Sequence, residues 1–431
     1  MGWARKERGM RTIDADVLVT GLDEPPIDDA RIVVDEDGRI AAVGTQADVD
    51  PAEAVDDDGG GAGDGIHESY PAVTPGLIDA HLHLAGTRSM DPMQWVIESS
   101  ELGTARATAD LREILAGGFT AVRDVGSETG LGLREAVAEG AIPGPRIFTS
   151  AQSISQTAGH GDSHFLPYEW VAESERGIGT LADGADECRK EARKRIREGV
   201  DVLKIMTTGG VLSEKDAPDQ SQFTDAEVQA FVEEAHRVGI PVASHAQGAP
   251  GIKTALRNGV DTIEHGFYLD EECLDLFEET GAIFVPTLSI MHRLLEAGAD
   301  HGVPEYGLEK AREASEAHFE AVERAVDRDI PIATGTDFIG PELVPHGENA
   351  LELELLVDEV GMDEHAVLQS ATRVAAETVP ADDIGTLAAG NRADVLALGS
   401  DPTEDVSAVR DVQAVFVDGE PVVVDGEVAD D

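Results

Sequence analysis

The stretch Ala72-Val73-Thr74-Pro75-Gly76-Leu77-Ile78-Asp79-Ala80-His81-Leu82-His83 runs from apolar residues into two histidines. Residues 72–80 read as a buried strand, because a short apolar run bounded by turn residues has the length of one. On extended chain His81 and His83 point to the same side. That suits two imidazoles on one metal, although two solvated or core-satisfied histidines would give the same pattern. The neighbouring sequence decides between these readings.

C-terminal to this stretch, short apolar runs alternate with helical segments, the rhythm of βα units around a parallel sheet. Eight strands are predicted: 72–80, 119–125, 146–150, 200–206, 242–246, 262–265, 283–288 and 330–336. Helical periodicity falls between them, for example over 187–198, 226–238, 271–279 and 310–327, and two further helices are predicted at 348–360 and 364–378. Eight such units predict an α/β fold, a (β/α)8 TIM-type barrel of about 250 residues. The flanks differ. Residues 12–43 and 393–424 alternate apolar and polar, with hairpin signals at Asp37-Gly38, Asp418-Gly419 and Asp425-Gly426. Neither flank has enough strands to bury a face alone. The expected organisation is therefore 1–71 and 380–431 as the two parts of a small composite β-sandwich, with the barrel at 72–379. The acidic, glycine-rich run Asp56–Gly65 has no packing capacity.

The strand ends carry the chemistry. Lys204 lies inside the apolar strand 200–206, in a chain with only seven lysines. An unpaired buried ammonium is costly. Either a carboxylate pairs with it, or it reaches solvent, or CO2 has converted the amine to a carbamate able to bridge two cations. Strand five ends in Ser244-His245, strand six in Glu264-His265 and strand eight in Thr336-Asp337. Imidazoles, one lysine and one carboxylate thus gather at the C-terminal rim, where such barrels build their active sites. Two cations accepting nitrogen and oxygen ligands match that set.

The segments TPGLIDAHLH (74–83), VLKIMTTGGVLS (202–213), SHAQG (244–248), GVDTIEHG (259–266), ATGTD (333–337) and IGTLAAGNRADVLAL (384–398) follow one another in this order. With them the chain resembles the amidohydrolase superfamily, in its imidazolonepropionase-like and prolidase-like branch. The resemblance implies that His81 and His83 hold one metal, and His245 and His265 the other. It implies a CO2-derived carbamate on Lys204 as the bridge, and Asp337 as both ligand and base. Zinc is the expected metal, with manganese or cobalt as alternatives. A metal-activated hydroxide would then attack a linear amide, such as an Xaa-Pro dipeptide or an N-acyl amino acid, and Asp337 would pass the proton to the leaving amine. His160, in the loop Gln156–Asp162, is the expected substrate contact for a carboxylate or carbonyl. Tyr268, Gln247 and the backbone donor of Gly210 are further candidates, and the loop 213–223 is expected to close over substrate. Relatives often carry His or Tyr where this chain has Gln247. Lys204 argues against an imidazolonepropionase-type, one-metal hydrolase of a cyclic amide, and the complete ligand set argues against a non-catalytic scaffold.

Composition narrows the setting. The chain has 86 acidic and 32 basic residues, a formal net charge of −54. The acid is dispersed rather than gathered in a tail, so it reads as the solvated surface of a protein from a high-salt cytoplasm, not as a polycation binder. Binding to nucleic acid or to an anionic membrane has the wrong sign. Two cysteines, Cys188 and Cys273, make no disulfide framework. No apolar run reaches the length of a membrane span, and no secretory leader is evident, Met10 being an alternative start. A cytoplasmic enzyme acting on a small-molecule amide is the expectation, with homo-oligomer formation left open.

Overall fold

The computed structural model describes residues 9–51, 66–174 and 178–429; the acidic run at 56–65 lies outside them. Among the described residues the strands are, in chain order, β1 (Arg11–Leu18), β2 (Ile27–Val34), β3 (Ile40–Thr45), β4 (Ile66–Pro75), β5 (Leu77–Leu82), β6 (Phe119–Asp124), β7 (Arg146–Thr149), β8 (Ser153–Ser155), β9 (Gly179–Leu181), β10 (Leu203–Met206), β11 (Val242–Gly248), β12 (Thr262–Tyr268), β13 (Ile283–Val285), β14 (Val395–Leu398), β15 (Val412–Val417), β16 (Glu420–Val424) and β17 (Glu427–Val428).

The two flanks join as the alternating patterns imply. They form one continuous sheet in the order β17-β16-β15-β14-β4-β1-β2-β3. Its seam is the antiparallel pair β4–β14, where Val73 faces Ala397 and Pro75 faces Val395. The sheet curls over its own core of Ile13, Ile32, Val73, Val395 and Phe416, and the amide of Ile40 donates to the Asn391 carbonyl at 2.9 Å. Both residues of Asp418-Gly419 and of Asp425-Gly426 have positive φ, as a type I′ hairpin turn requires.

The expected first strand divides. Residues 72–75 finish β4 in the composite sheet, and β5 begins the barrel after Gly76. Pro75 has no N–H to continue the ladder, and a Cβ on Gly76 would lie 2.1 Å from the Thr120 hydroxyl. In the barrel, β5, β6 and β7 are parallel neighbours, and β10, β11, β12 and β13 form a second parallel run. Strand three is shorter than predicted. Ala151 takes φ 53°, and the chain resumes as β8 beside β10 and the unanticipated β9. Strand seven also ends early, at Val285, because Pro286 follows and a helix begins at Leu288.

The predicted eighth strand, 330–336, is not a regular one. It closes the barrel through isolated bridges between Phe284 and Ile332 and between Leu82 and Phe338, and through hydrogen bonds from the Ala80 N–H to the Thr334 carbonyl (2.9 Å) and from the Asp337 N–H to the His81 carbonyl (2.7 Å). Pro331 removes one donor. A Cβ on Gly335 would meet the His81 backbone nitrogen at 2.9 Å, so this close approach needs glycine. Helices including Ala185–Glu198, Asp225–Arg237, Glu271–Thr280 and Glu305–Asp327 cover the outside. Cys188 and Cys273 are buried and free. No helix among the described residues is long and apolar enough to cross a membrane.

Candidate active site

The barrel rim opens into a cavity of about 570 Å³, lined by His81, His83, His160, Lys204, His245, Gln247, His265 and Asp337. A ring nitrogen of His81, one of His265 and a carboxylate oxygen of Asp337 lie within 4.8 Å of one another. His83 Nε2 is 3.0 Å from Asp337 Oδ1, and His81 Nε2 is 3.5 Å from the same atom. The rings of His245 and His265 are 4.6 Å apart, and His160 stacks on His245 at 4.1 Å. Sites of this kind store backbone strain: His265 and Asp337 both have positive φ, at 75° and 57°.

A layer of fully buried groups fixes these rings. Nδ1 of His81 donates to Glu264 Oε2 at 2.6 Å. Both Glu264 oxygens accept from Arg123, at 2.8 and 2.9 Å. Arg123 also donates to Thr262 Oγ1 at 3.0 Å and to the Ala80 carbonyl. Burial pushes the Glu264 carboxyl up, but the charges of Arg123, Lys204 and His81 outweigh it, and the group is held well below the usual carboxylate range. An ionised Glu264 only accepts, so His81 carries its proton on Nδ1 and keeps the Nε2 lone pair for a ligand. Nδ1 of His265 pairs with Thr287 Oγ1 at 2.8 Å, and Nε2 of His245 pairs with the Gly209 carbonyl at 3.1 Å. Burial lowers both of these imidazoles well below their ordinary value. It would raise Asp337, but hydrogen bonds and charge from His81 and His83 bring that carboxyl well below its usual range.

Lys204 is 3% exposed, and its Nζ has no hydrogen-bond partner. Burial depresses its amine to about 8, against the pull of Glu264. An orphaned buried amine beside imidazoles and a carboxylate matches the donor chemistry of a metal site better than that of a satisfied core.

Of the expected substrate residues, His160 and Gln247 line the cavity, and Tyr268 and Gly210 are not among its lining residues. His160 Nδ1 is 3.0 Å from Ser213 Oγ, and burial lowers its ring. Gln247 Oε1 is buried without a partner. Tyr268 packs instead against the cluster that holds Phe267, Met291 and Leu308 and is not among the cavity-lining residues; His265 and Gly266 both have positive φ, at 75° and 58°, so strand alternation does not carry through to it. Gly210 offers no free donor: its N–H goes to Asp216 Oδ1 at 3.2 Å. What it supplies is room, since a Cβ there would lie 2.2 Å from the His160 ring. The start of the loop expected to close over substrate is held from the helix Glu305–Asp327. The Lys310 ammonium donates to the carbonyls of Gly210, Ser213 and Asp216, at 3.1, 2.6 and 2.6 Å. Sequence reasoning gave no role to Glu264, Arg123, Asp216 or Lys310. A Glu directly before a strand-end His, and an Arg inside the apolar run 119–125, were the available signals.

The Amidohydrolase family model matches residues 72–422. Ochratoxinase of Aspergillus niger is 33% identical over 428 residues, covering 95% of this chain and 85% of that protein. Its crystal structure superposes with a TM-score of 0.87 at 32% identity, covering 97% of this chain and 96% of that one. A Xaa-Pro dipeptidase solved with bound methionine gives 0.82 at 31% identity, covering 96% and 99%. A prolidase complexed with N-methylphosphonate-L-proline gives 0.85 at 29%, also covering 96% and 99%. This chain is a member of the amidohydrolase family, and it is a hydrolase acting on carbon–nitrogen bonds.

Proposed function

We propose that the protein hydrolyses a linear amide of a small molecule, of the Xaa-Pro dipeptide or N-acyl amino acid kind, with two divalent cations. The observation that carries this reading is the buried, partnerless Nζ of Lys204 among His81, His83, His245, His265 and Asp337. The amine, lowered to about 8, has a neutral fraction near neutral pH. That form attacks CO2: an N–C bond forms as one C=O π bond breaks and its electron pair passes to oxygen, the nitrogen loses a proton to water, and an anionic carbamate results. His81 and His83 would hold one cation, His245 and His265 the other, with the Lys204 carbamate between them and Asp337 touching one. Zinc suits these ligands, as do manganese and cobalt.

When bound, the cations supply an acidified water and a polarised scissile carbonyl. The chain does the rest. Asp337, ionised through His81 and His83, accepts the proton of the attacking water and returns it to the departing nitrogen. Glu264 and Arg123 keep His81 in one tautomer. His160, from the loop after β8, and Gln247, from β11, line the cavity where substrate would bind. The names of the similar proteins support an amide substrate, and the proline derivative bound to one of them supports the Xaa-Pro class.

The test is a hydrolysis screen in molar KCl with added Zn²⁺, over Xaa-Pro and other dipeptides, N-acyl amino acids and imidazolone propionate, beside metal analysis of the purified protein. Turnover of a dipeptide or acyl class with about two metals per chain is expected. Turnover of imidazolone propionate alone with one metal would overturn the reading.

A further inference from the structure

We infer that one side of the cavity is an apolar lobe that receives a large, uncharged apolar group of the substrate, on one side of the amide bond. The inference rests on the hydrolase reading and adds the substrate class. A volume of about 570 Å³ lies in the range of pockets that enclose drug-sized ligands, about 300–1,000 Å³.

Away from the histidines the cavity wall carries Asp91, Glu98, Glu128, Asp162 and Glu214, and beside them an apolar part. Val211, Leu212, Phe267, Ile290, Met291 and Leu294 form it, all in or against one hydrophobic cluster, and Met93, Trp95 and Phe165 also line the cavity. Met291 and Leu294 lie at i and i+3 on the helix Leu288–Ala297 and so share a face. Both are almost fully buried and belong to a hydrophobic cluster separate from the main barrel core. That backing makes the wall preformed. The Trp95 indole N–H is already spent on the Ser89 carbonyl at 2.6 Å, so the ring offers only apolar surface. The described lining contains no arginine, and its one lysine is Lys204. A carboxylate in the lobe would have no cation to meet, while Glu98 and Glu214 on the same lining repel it.

The test uses the zinc-loaded full chain and N-acyl-L-prolines with acetyl, butanoyl, hexanoyl and octanoyl groups. An adipoyl compound carries a terminal carboxylate at hexanoyl length. We expect kcat/KM to rise about fourfold per methylene, and the adipoyl compound to react at least about 100-fold more slowly than the hexanoyl one, a charge without a partner being costly. Met93→Ser, at the exposed edge, and Met291→Ala, in the wall, should each lower the octanoyl-to-acetyl ratio about fivefold or more; the ratio does not depend on how much of a variant is folded. A flat acyl series with measurable acetyl turnover overturns the lobe and leaves the hydrolase reading intact. If no acyl-proline reacts, the wider screen still decides the hydrolase reading, and calorimetry decides the lobe separately. Octanamide binding much more tightly than acetamide supports it, and equal binding overturns it.

Discussion

Nδ1 of His81 and Oε2 of Glu264 stand 2.6 Å apart in a fully buried contact, with Arg123 clamping the carboxylate from the far side. The clamp fixes the ring that must present Nε2 at the rim. Glu264→Gln is expected to lower zinc affinity about 10- to 100-fold. A zinc competition titration measures this; unchanged affinity in a folded variant would show that the contact does not tune the site.

Lys204→Ala removes the proposed bridge. We expect loss of activity and a fall from two metals per chain to one or none, read by elemental analysis. Full activity with unchanged metal content would refute the carbamate.

Lys310 ties three carbonyls of the 210–216 loop, and through Ser213 and Asp216 that loop holds His160. Lys310→Met should lower kcat/KM about tenfold, leave metal content unchanged and speed proteolysis within residues 211–222. Hydrogen bonds to charged groups are worth about 1.5–3 kcal/mol. In a His160→Ala background the same change should cost little, because the two act through one another. Additive losses would mean that Lys310 does not work through His160.

Glu352 is fully buried and accepts the amides of Leu288 and Ser289 at 2.9 and 2.7 Å. Burial is the largest influence on it and raises its carboxyl from 4.5 to about 7. Its folded value thus lies above its unfolded one. The associated stability is fully present below about 4.5 and is lost as pH climbs through about 7, at no more than about 1.4 kcal/mol per pH unit. Glu352→Gln keeps an acceptor and cannot ionise. The wild type should lose stability relative to this variant between pH 5 and pH 7 in denaturant titrations; parallel profiles would exclude Glu352 as the cause.

The charge of −54 implies salt dependence. The Debye length shrinks from about 30 Å at 0.01 M to about 3 Å at 1 M, which relieves self-repulsion. Dialysis from molar salt into dilute buffer should diminish the far-UV helical signal and the activity together. Unchanged spectra and rates would sink the high-salt expectation.

Residue order alone was enough to announce a parallel α/β barrel, because a strand-and-helix period repeated eight times has few other ways to bury its apolar faces. The same order put His81, His83, His245, His265 and Asp337 at the ends of the expected strands and Lys204 within one, since each follows an apolar run. The hairpin pairs Asp418-Gly419 and Asp425-Gly426 were likewise legible, because type I′ turns demand those residue types. Other features depend on contacts between residues far apart in sequence. Arg123 and Glu264 meet across 141 positions, and Lys310 reaches Gly210 across 100; no local period encodes either. The irregular eighth strand, the division of residues 72–80 between two sheets at Pro75-Gly76, and the placing of Tyr268 outside the cavity lining were settled by packing. Local propensity sets which elements form, while the close approach of backbones, as at Gly335 and Gly210, decides which side chains face one another.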